Sequence, residues 1–248
     1  MTAMLSIRIE EKRFPAVGQA EPRLVLSDLA FDVPEGQFVC VTGPSGCGKS
    51  TMLNIIAGLD TDYDGRVTLP DRGGRAPRIG YVFQSPRLLP WKTVLENVRL
   101  VMPADERASG VADELLHDVG VWESRHYYPS RLSLGMQRRV ALARAFAIAP
   151  VILLMDEPFV SLDEATGTHL RGLLLKLWQR RPTTVLFVTH DLREAITLAD
   201  RLLIFSHCPA RVIDDIAIPL AKEERGISSA VEALRRDIIT THKRIFAS

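Results

Sequence analysis

The chain has 248 residues, 46% hydrophobic and 25% charged, ordinary for a folded protein and enough to bury a sizeable core. Lysine and arginine number 31 against 30 acidic residues, so bulk charge does not mark a nucleic-acid binder, and no nucleic acid is expected as a partner. The three cysteines, Cys40, Cys47 and Cys208, show neither metal-like spacing nor a pairing pattern, which suits a reduced cytoplasm.

Residues 1–14 carry acidic side chains and no long apolar segment, so they do not read as a secretory signal. No apolar run reaches the ~18–20 residues that span a bilayer, so a membrane role must come through a partner. Residues 24–33 and 36–42 read as two strands joined in a hairpin by the turn Pro34-Glu35-Gly36. Residues 51–58 read as a helix closed by Gly58 at its C′ position. Short strands are expected at 65–69 and 78–83, with a turn at 71–75. From 85 to 149 the pattern is helical, with segments at 93–101, 109–119 and the alanine-rich 133–149. The continuous apolar run 151–155 suits a strand buried on both faces. A helix at 164–180, a strand at 184–188, a helix at 192–198 and a strand at 201–205 follow. The tail, 223–246, reads as helical and carries no assignable chemistry. Strands alternating with helices make this an α/β chain with a mostly parallel sheet covered on both faces, and the helical block reads as an inserted lobe.

The stretch Gly43-Pro44-Ser45-Gly46-Cys47-Gly48-Lys49-Ser50 fits the pattern G-x-x-x-x-G-K-[ST] at every fixed position. Glycines let backbone N–H groups crowd around a polyphosphate without a Cβ in the way. Lys49 can reach the terminal phosphates, the Ser50 hydroxyl can bind Mg²⁺, and the following helix aims its positive end at the same anion. An apolar run, 37–42, precedes the loop and a helical run follows it, the order the motif requires. The loop alone does not separate a nucleotide hydrolase from a kinase.

Met155-Asp156-Glu157-Pro158 follows the buried run at 151–155. Two carboxylates at a strand mouth are costly as filler. Asp156 is a candidate Mg²⁺ ligand, and Glu157 a candidate to orient or polarise the attacking water. His190 ends another buried strand, where ligands of parallel sheets bind, and is placed to sense the terminal phosphate. Gln84 ends the 78–83 strand, within reach of Mg²⁺ or water, at the start of the helical lobe. Leu132-Ser133-Leu134-Gly135-Met136 opens a second anion-directed helix, which suggests a half-site offered to another copy of the chain.

In order along 24–205, these motifs resemble the ATP-binding cassette ATPase family. The resemblance implies a P-loop NTPase (RecA-like) core, an antiparallel β subdomain and an inserted α-helical subdomain. It divides the chain into a core (1–84 and 150–206), a helical subdomain (85–149) and a C-terminal tail (207–248). It makes 43–50 the Walker A loop, with Thr51 added to the phosphate-binding set, and Gln84 the Q-loop. It makes Leu132-Ser133-Leu134-Gly135-Met136 the signature, 151–157 Walker B with Glu157 catalytic, Ser161-Leu162-Asp163 the D-loop and His190 the switch histidine. Ser133, Gly135 and Asp163 of one subunit would then meet the nucleotide held by the other. Phe14 is the match for the aromatic residue that stacks on adenine. ATP and Mg²⁺ are the implied cofactors.

Two positions depart from the family pattern. Leu134 replaces the first glycine of L-S-G-G, which a right-handed helical backbone tolerates, and a working but tuned site is expected. Val160 stands where many relatives have glycine, and nothing physical explains it. Leu88-Leu89-Pro90-Trp91-Lys92-Thr93-Val94-Leu95-Glu96-Asn97-Val98 resembles the corresponding segment of nitrate, sulfonate and taurine importer ATPases. That likeness implies a homodimer on the cytoplasmic face of the inner membrane, docked to permease subunits and served indirectly by a periplasmic or extracellular solute-binding protein. An exporter ATPase, or a soluble cassette protein of DNA repair, translation or cluster assembly, remains the alternative on sequence alone.

Overall fold

The computed structural model describes residues 3–16, 18, 21–70, 76–221, 224–226 and 228–246. Along the chain run β1 (Ala3–Phe14), β2 (Arg23–Pro34), β3 (Phe38–Thr42), α1 (Lys49–Ile56), β4 (Asp64–Thr68), β5 (Ile79–Val82), α2 (Val94–Arg99), α3 (Val111–Asp118) and α4 (Leu134–Phe146). Then come β6 (Ile152–Asp156), α5 (Glu164–Arg180), β7 (Thr184–Val188), α6 (Leu192–Leu198), β8 (Arg201–Phe205), β9 (Val212–Ala217), α7 (Ser228–Thr241) and α8 (Lys243–Phe246). The turn expected at 71–75 lies outside the described residues. Two compact units form: Met1–Arg75 with Thr184–Ser248, and Ala76–Thr183.

In the first unit, β2, β1 and β4 make a three-stranded antiparallel sheet in that order. On β1 the residues Leu5, Ile7 and Ile9 alternate inward, while Arg8 faces out and pairs with Asp32 of β2 at 2.7 Å. A second sheet runs β7-β3-β8-β9, the first three strands parallel and β9 antiparallel to β8. The hairpin expected from 24–33 and 36–42 does not form. The Gln37 N–H does donate to the Pro34 carbonyl at 3.3 Å, but this turn carries the chain from one sheet to the other. The reason lies in burial. All five residues of β3 are buried, which suits a strand inside a parallel sheet, whereas β2 alternates and covers one face. The tail packs Val231 and Ile238 inward from α7, and Arg193 of α6 pairs with Glu232.

In the second unit, β5 and β6 pair in parallel, with Val82 opposite Met155. Helix α4 approaches β5 closely enough that a Cβ on Gly80 would lie 2.8 Å from the Ala145 carbonyl oxygen, so only glycine fits there. Val94, Val98, Leu115, Leu116, Val140 and Phe146 form the interior of the helical part. Each such fully buried side chain contributes roughly 1.5–3 kcal/mol.

Candidate nucleotide site

The phosphate loop leaves the C-terminal end of β3 and turns into α1, in the first unit. Gly46 and Gly48 adopt left-handed φ values of 70° and 123°. A Cβ on Gly48 would lie 2.7 Å from Leu26 Cδ2 and 2.9 Å from Val25 Cγ1, whereas Gly46 opens onto free space. Helices α2, α4, α5 and α6 are each capped by a side chain, but α1 has no side-chain cap. Helix α3 also starts at a glycine without a side-chain cap, so this open start marks no ligand by itself, but it leaves the first N–H groups of α1 without a side-chain acceptor. The buried Lys49 ammonium donates to the carbonyls of Gly43 at 2.8 Å and Pro44 at 2.9 Å. An uncapped helix start, two left-handed glycines and a buried cation together fit a polyphosphate. Cys47 Sγ lies 3.9 Å from Lys49 Nζ, and burial pushes its thiol up against the opposing pull of the lysine charge.

Two further candidates join the loop in this unit. Phe14 pairs with Arg23 across β1 and β2, and Arg23 reaches the Gly46 carbonyl at 3.5 Å. The Phe14 ring is exposed on a support made by Lys12, whose ammonium sits 4.9 Å from the ring centroid. Lys12 itself is fixed by Asp60 at 2.9 Å. His190 follows β7, whose register sets Val188 against Val41, so the exposed His190 leaves the sheet at the same end as the phosphate loop.

The second unit carries Gln84, Ser133, Gly135, Asp156, Glu157 and Asp163. Gln84 is exposed beyond β5, and Asp156 and Glu157 are half-buried at the same end of β6. Burial raises the Tyr81 hydroxyl well above its ordinary value, and the Asp156 charge adds to this. Glu157 takes a left-handed φ of 44°, and Ser161 one of 61°. Ser133 caps α4 by accepting from the Met136 N–H at 3.2 Å. Leu134 opens α4 in helical conformation with its side chain exposed, as the expectation for a tolerated leucine requires. Gly135 lies against α5: a Cβ there would come 3.0 Å from Thr166 Cγ2. Asp163 caps α5 through the Thr166 N–H at 2.9 Å, and that bond holds its carboxyl below the ordinary range.

Several residues that hold these groups carry no local signal in the sequence. The buried Arg138 donates from Nη1 to the Pro158 carbonyl at 2.6 Å, tying α4 to the residues just after Glu157. Asn97, fully buried, binds the 89–93 segment through four bonds. Its Oδ1 accepts from the Leu89 N–H at 2.7 Å, and its Nδ2 donates to the carbonyls of Leu89, Lys92 and Thr93. Only an amide offers donor and acceptor together in that space. Asn97→Leu takes the amide from the Leu89 N–H and the Lys92 carbonyl, while the Leu89 and Thr93 carbonyls keep backbone donors, and urea unfolding is expected to show a loss of roughly 1–3 kcal/mol. Unchanged stability would remove the staple.

These features define a nucleotide-binding protein of the phosphate-loop class. A family model described as ABC transporter matches residues 26–160. The aliphatic sulfonates import ATP-binding protein SsuB of Bacillus subtilis (strain 168) is 38% identical over 97% of this chain and 94% of its own length. A second SsuB, from Burkholderia cenocepacia (strain HI2424), is 40% identical over 97% of this chain and 88% of its own. Among solved structures, the dimeric bacterial ABC transporter cassette MJ0796 is 33% identical, with a TM-score of 0.74 over 88% of this chain and all of that one. The same cassette in a post-hydrolysis state with ADP and Pi superposes with a TM-score of 0.71. The chain belongs to the ABC transporter family, as an ATP-hydrolysing cassette subunit with the P-loop NTPase fold.

Proposed function

We propose that this ATPase drives import of an aliphatic sulfonate, or a similar small oxyanion such as nitrate or taurine, through a separate membrane permease. The observation that carries this is likeness to sulfonate-import ATPases over nearly the whole chain. In our reading ATP lies on the 43–51 loop with adenine on Phe14, Lys49 meets the terminal phosphates, and Glu157 polarises the attacking water. Ser50, Asp156 and Gln84 offer the oxygen donors that suit Mg²⁺, which would supply charge neutralisation on the phosphates. His190 and Gln84 report the state of the terminal phosphate.

Two copies would close head-to-tail, with Ser133, Gly135 and Asp163 of each directed at the nucleotide of the other. The exposure of Ser133 and Leu134 at an anion-directed helix start supports this, as does the dimeric state of the similar cassette. No helix among the described residues is long and apolar enough to cross a membrane, so attachment to the inner membrane falls to the permease. For that contact the second unit offers Trp91, 70% exposed, close to Tyr127 and Tyr128 at 50% and 48%. The Val94 N–H donates to the Tyr127 carbonyl at 2.9 Å, which sets this aromatic group beside the start of α2.

Reconstitution with a permease and a solute-binding protein of the sulfonate-import type tests the proposal. ATP-dependent uptake of a sulfonate is expected. Outward movement alone would make it an exporter. Trp91→Ala is expected to weaken permease co-purification by roughly 10-fold or more, as interface aromatics do, while the free subunit hydrolyses ATP normally. Unimpaired co-purification would place the permease elsewhere.

A further inference from the structure

We propose that Glu194 is a positioning residue for His190, acting through the hydroxyl of Thr189. The inference rests on His190 as the switch residue, and the experiment below tells failure of that reading from failure of this one.

Glu194 is the third residue of α6 and is only 9% exposed. A carboxylate so buried is held by specific hydrogen bonds or it destabilises the fold. Thr189 Oγ1 donates to Glu194 Oε2 at 2.8 Å. The same oxygen accepts from the Asp191 N–H at 3.0 Å. Because the hydroxyl proton is committed to the carboxylate, its lone pair is aimed at the amide. The Thr189 N–H donates to the Val41 carbonyl at 3.2 Å, two residues before the phosphate loop begins at Gly43. Asp191 Oδ1 accepts from the Arg193 N–H at 2.8 Å and starts α6.

Both neighbours of His190 are thus fixed, Thr189 to β3 and to Glu194, Asp191 to Thr189 and to α6, while His190 itself stays exposed. The Cys40 thiol on β3 is pushed well up, first by burial and then by the Glu194 charge, so the carboxylate is felt beneath the strand that leads into the loop. Glu194 therefore sets the direction in which the imidazole leaves the sheet.

The test is steady-state ATP hydrolysis by the full chain. Thr189→Val keeps the shape and removes the hydroxyl. It is expected to lower kcat roughly 10-fold, the scale of a small misplacement, with KM for ATP within about 3-fold of wild type. Thr189→Ser restores the hydroxyl and is expected to restore the rate. Glu194→Ala should match Thr189→Val, and the double variant should be no slower than the slower single. In a His190→Ala background neither change should cost further activity. A His190→Ala enzyme at the wild-type rate overturns the switch reading itself. A slow His190→Ala enzyme beside a wild-type-like Thr189→Val, or losses that multiply with His190→Ala, overturns the role of Glu194. If Glu194→Ala fails to fold, the Thr189 pair alone decides.

Discussion

Glu157→Gln is expected to bind ATP with near-normal affinity, to hydrolyse it about 10² to 10⁴ times more slowly and to accumulate as a dimer. Glutamine keeps the size and the hydrogen-bonding reach of the side chain but cannot take a proton from water. The backbone at this position is unusual for a non-glycine residue, with a φ of 44°. Such a conformation costs roughly 1–3 kcal/mol and persists because its surroundings impose it. Here the Val160 N–H closes a turn onto the Glu157 carbonyl at 3.2 Å, and β6 fixes the residue before it. The cost is understandable if the side chain must leave the strand end in one direction. Single-turnover hydrolysis, with light scattering in MgATP, measures both parts of the expectation. Turnover at the wild-type rate would remove Glu157 from its role.

Lys49→Ala is expected to weaken ATP binding by roughly 10–100-fold, the value of one or two charge-assisted bonds, and to abolish hydrolysis. The fold should survive, because the ammonium bonds the Gly43 and Pro44 carbonyls and approaches Cys47 Sγ, all within its own loop, and none of the three residues belongs to a strand or helix. Titration with a fluorescent ATP analogue, alongside thermal unfolding, separates the two quantities. Unchanged affinity in a folded variant would contradict the assignment of the loop.

The elements most legible in the sequence are those whose burial is uniform. β7, β8, α5 and α6 fall on the expected boundaries because continuous apolar runs and side-chain caps mark them. β9 gives no strand signal in the sequence because it is half-exposed and carries Asp214 and Asp215 in its middle; its pairing with β8 makes it a strand. The sequence offers no strand expectation over β1, and the expected pairing of 24–33 with 36–42 fails because a local turn does not reveal which sheet each strand enters. The site shows the same division. The phosphate loop, Asp156, Glu157 and the signature serine announce themselves by spacing. Asn97, Arg138, Thr189 and Glu194 do not, because each works through a partner that only folding brings near.

Arg138 and Gly80 together have a mechanical consequence. One bolts the middle of α4 to Pro158, and the other lets the far end of α4 seat directly on β5. The serine that caps α4 and the glutamate that follows β6 are therefore mounted on one chassis. Whatever torque reaches this helix must reach Glu157 in the same stroke, so under the roles proposed for Ser133 and Glu157, grasping a neighbour's phosphate and readying its own water would become a single event in time.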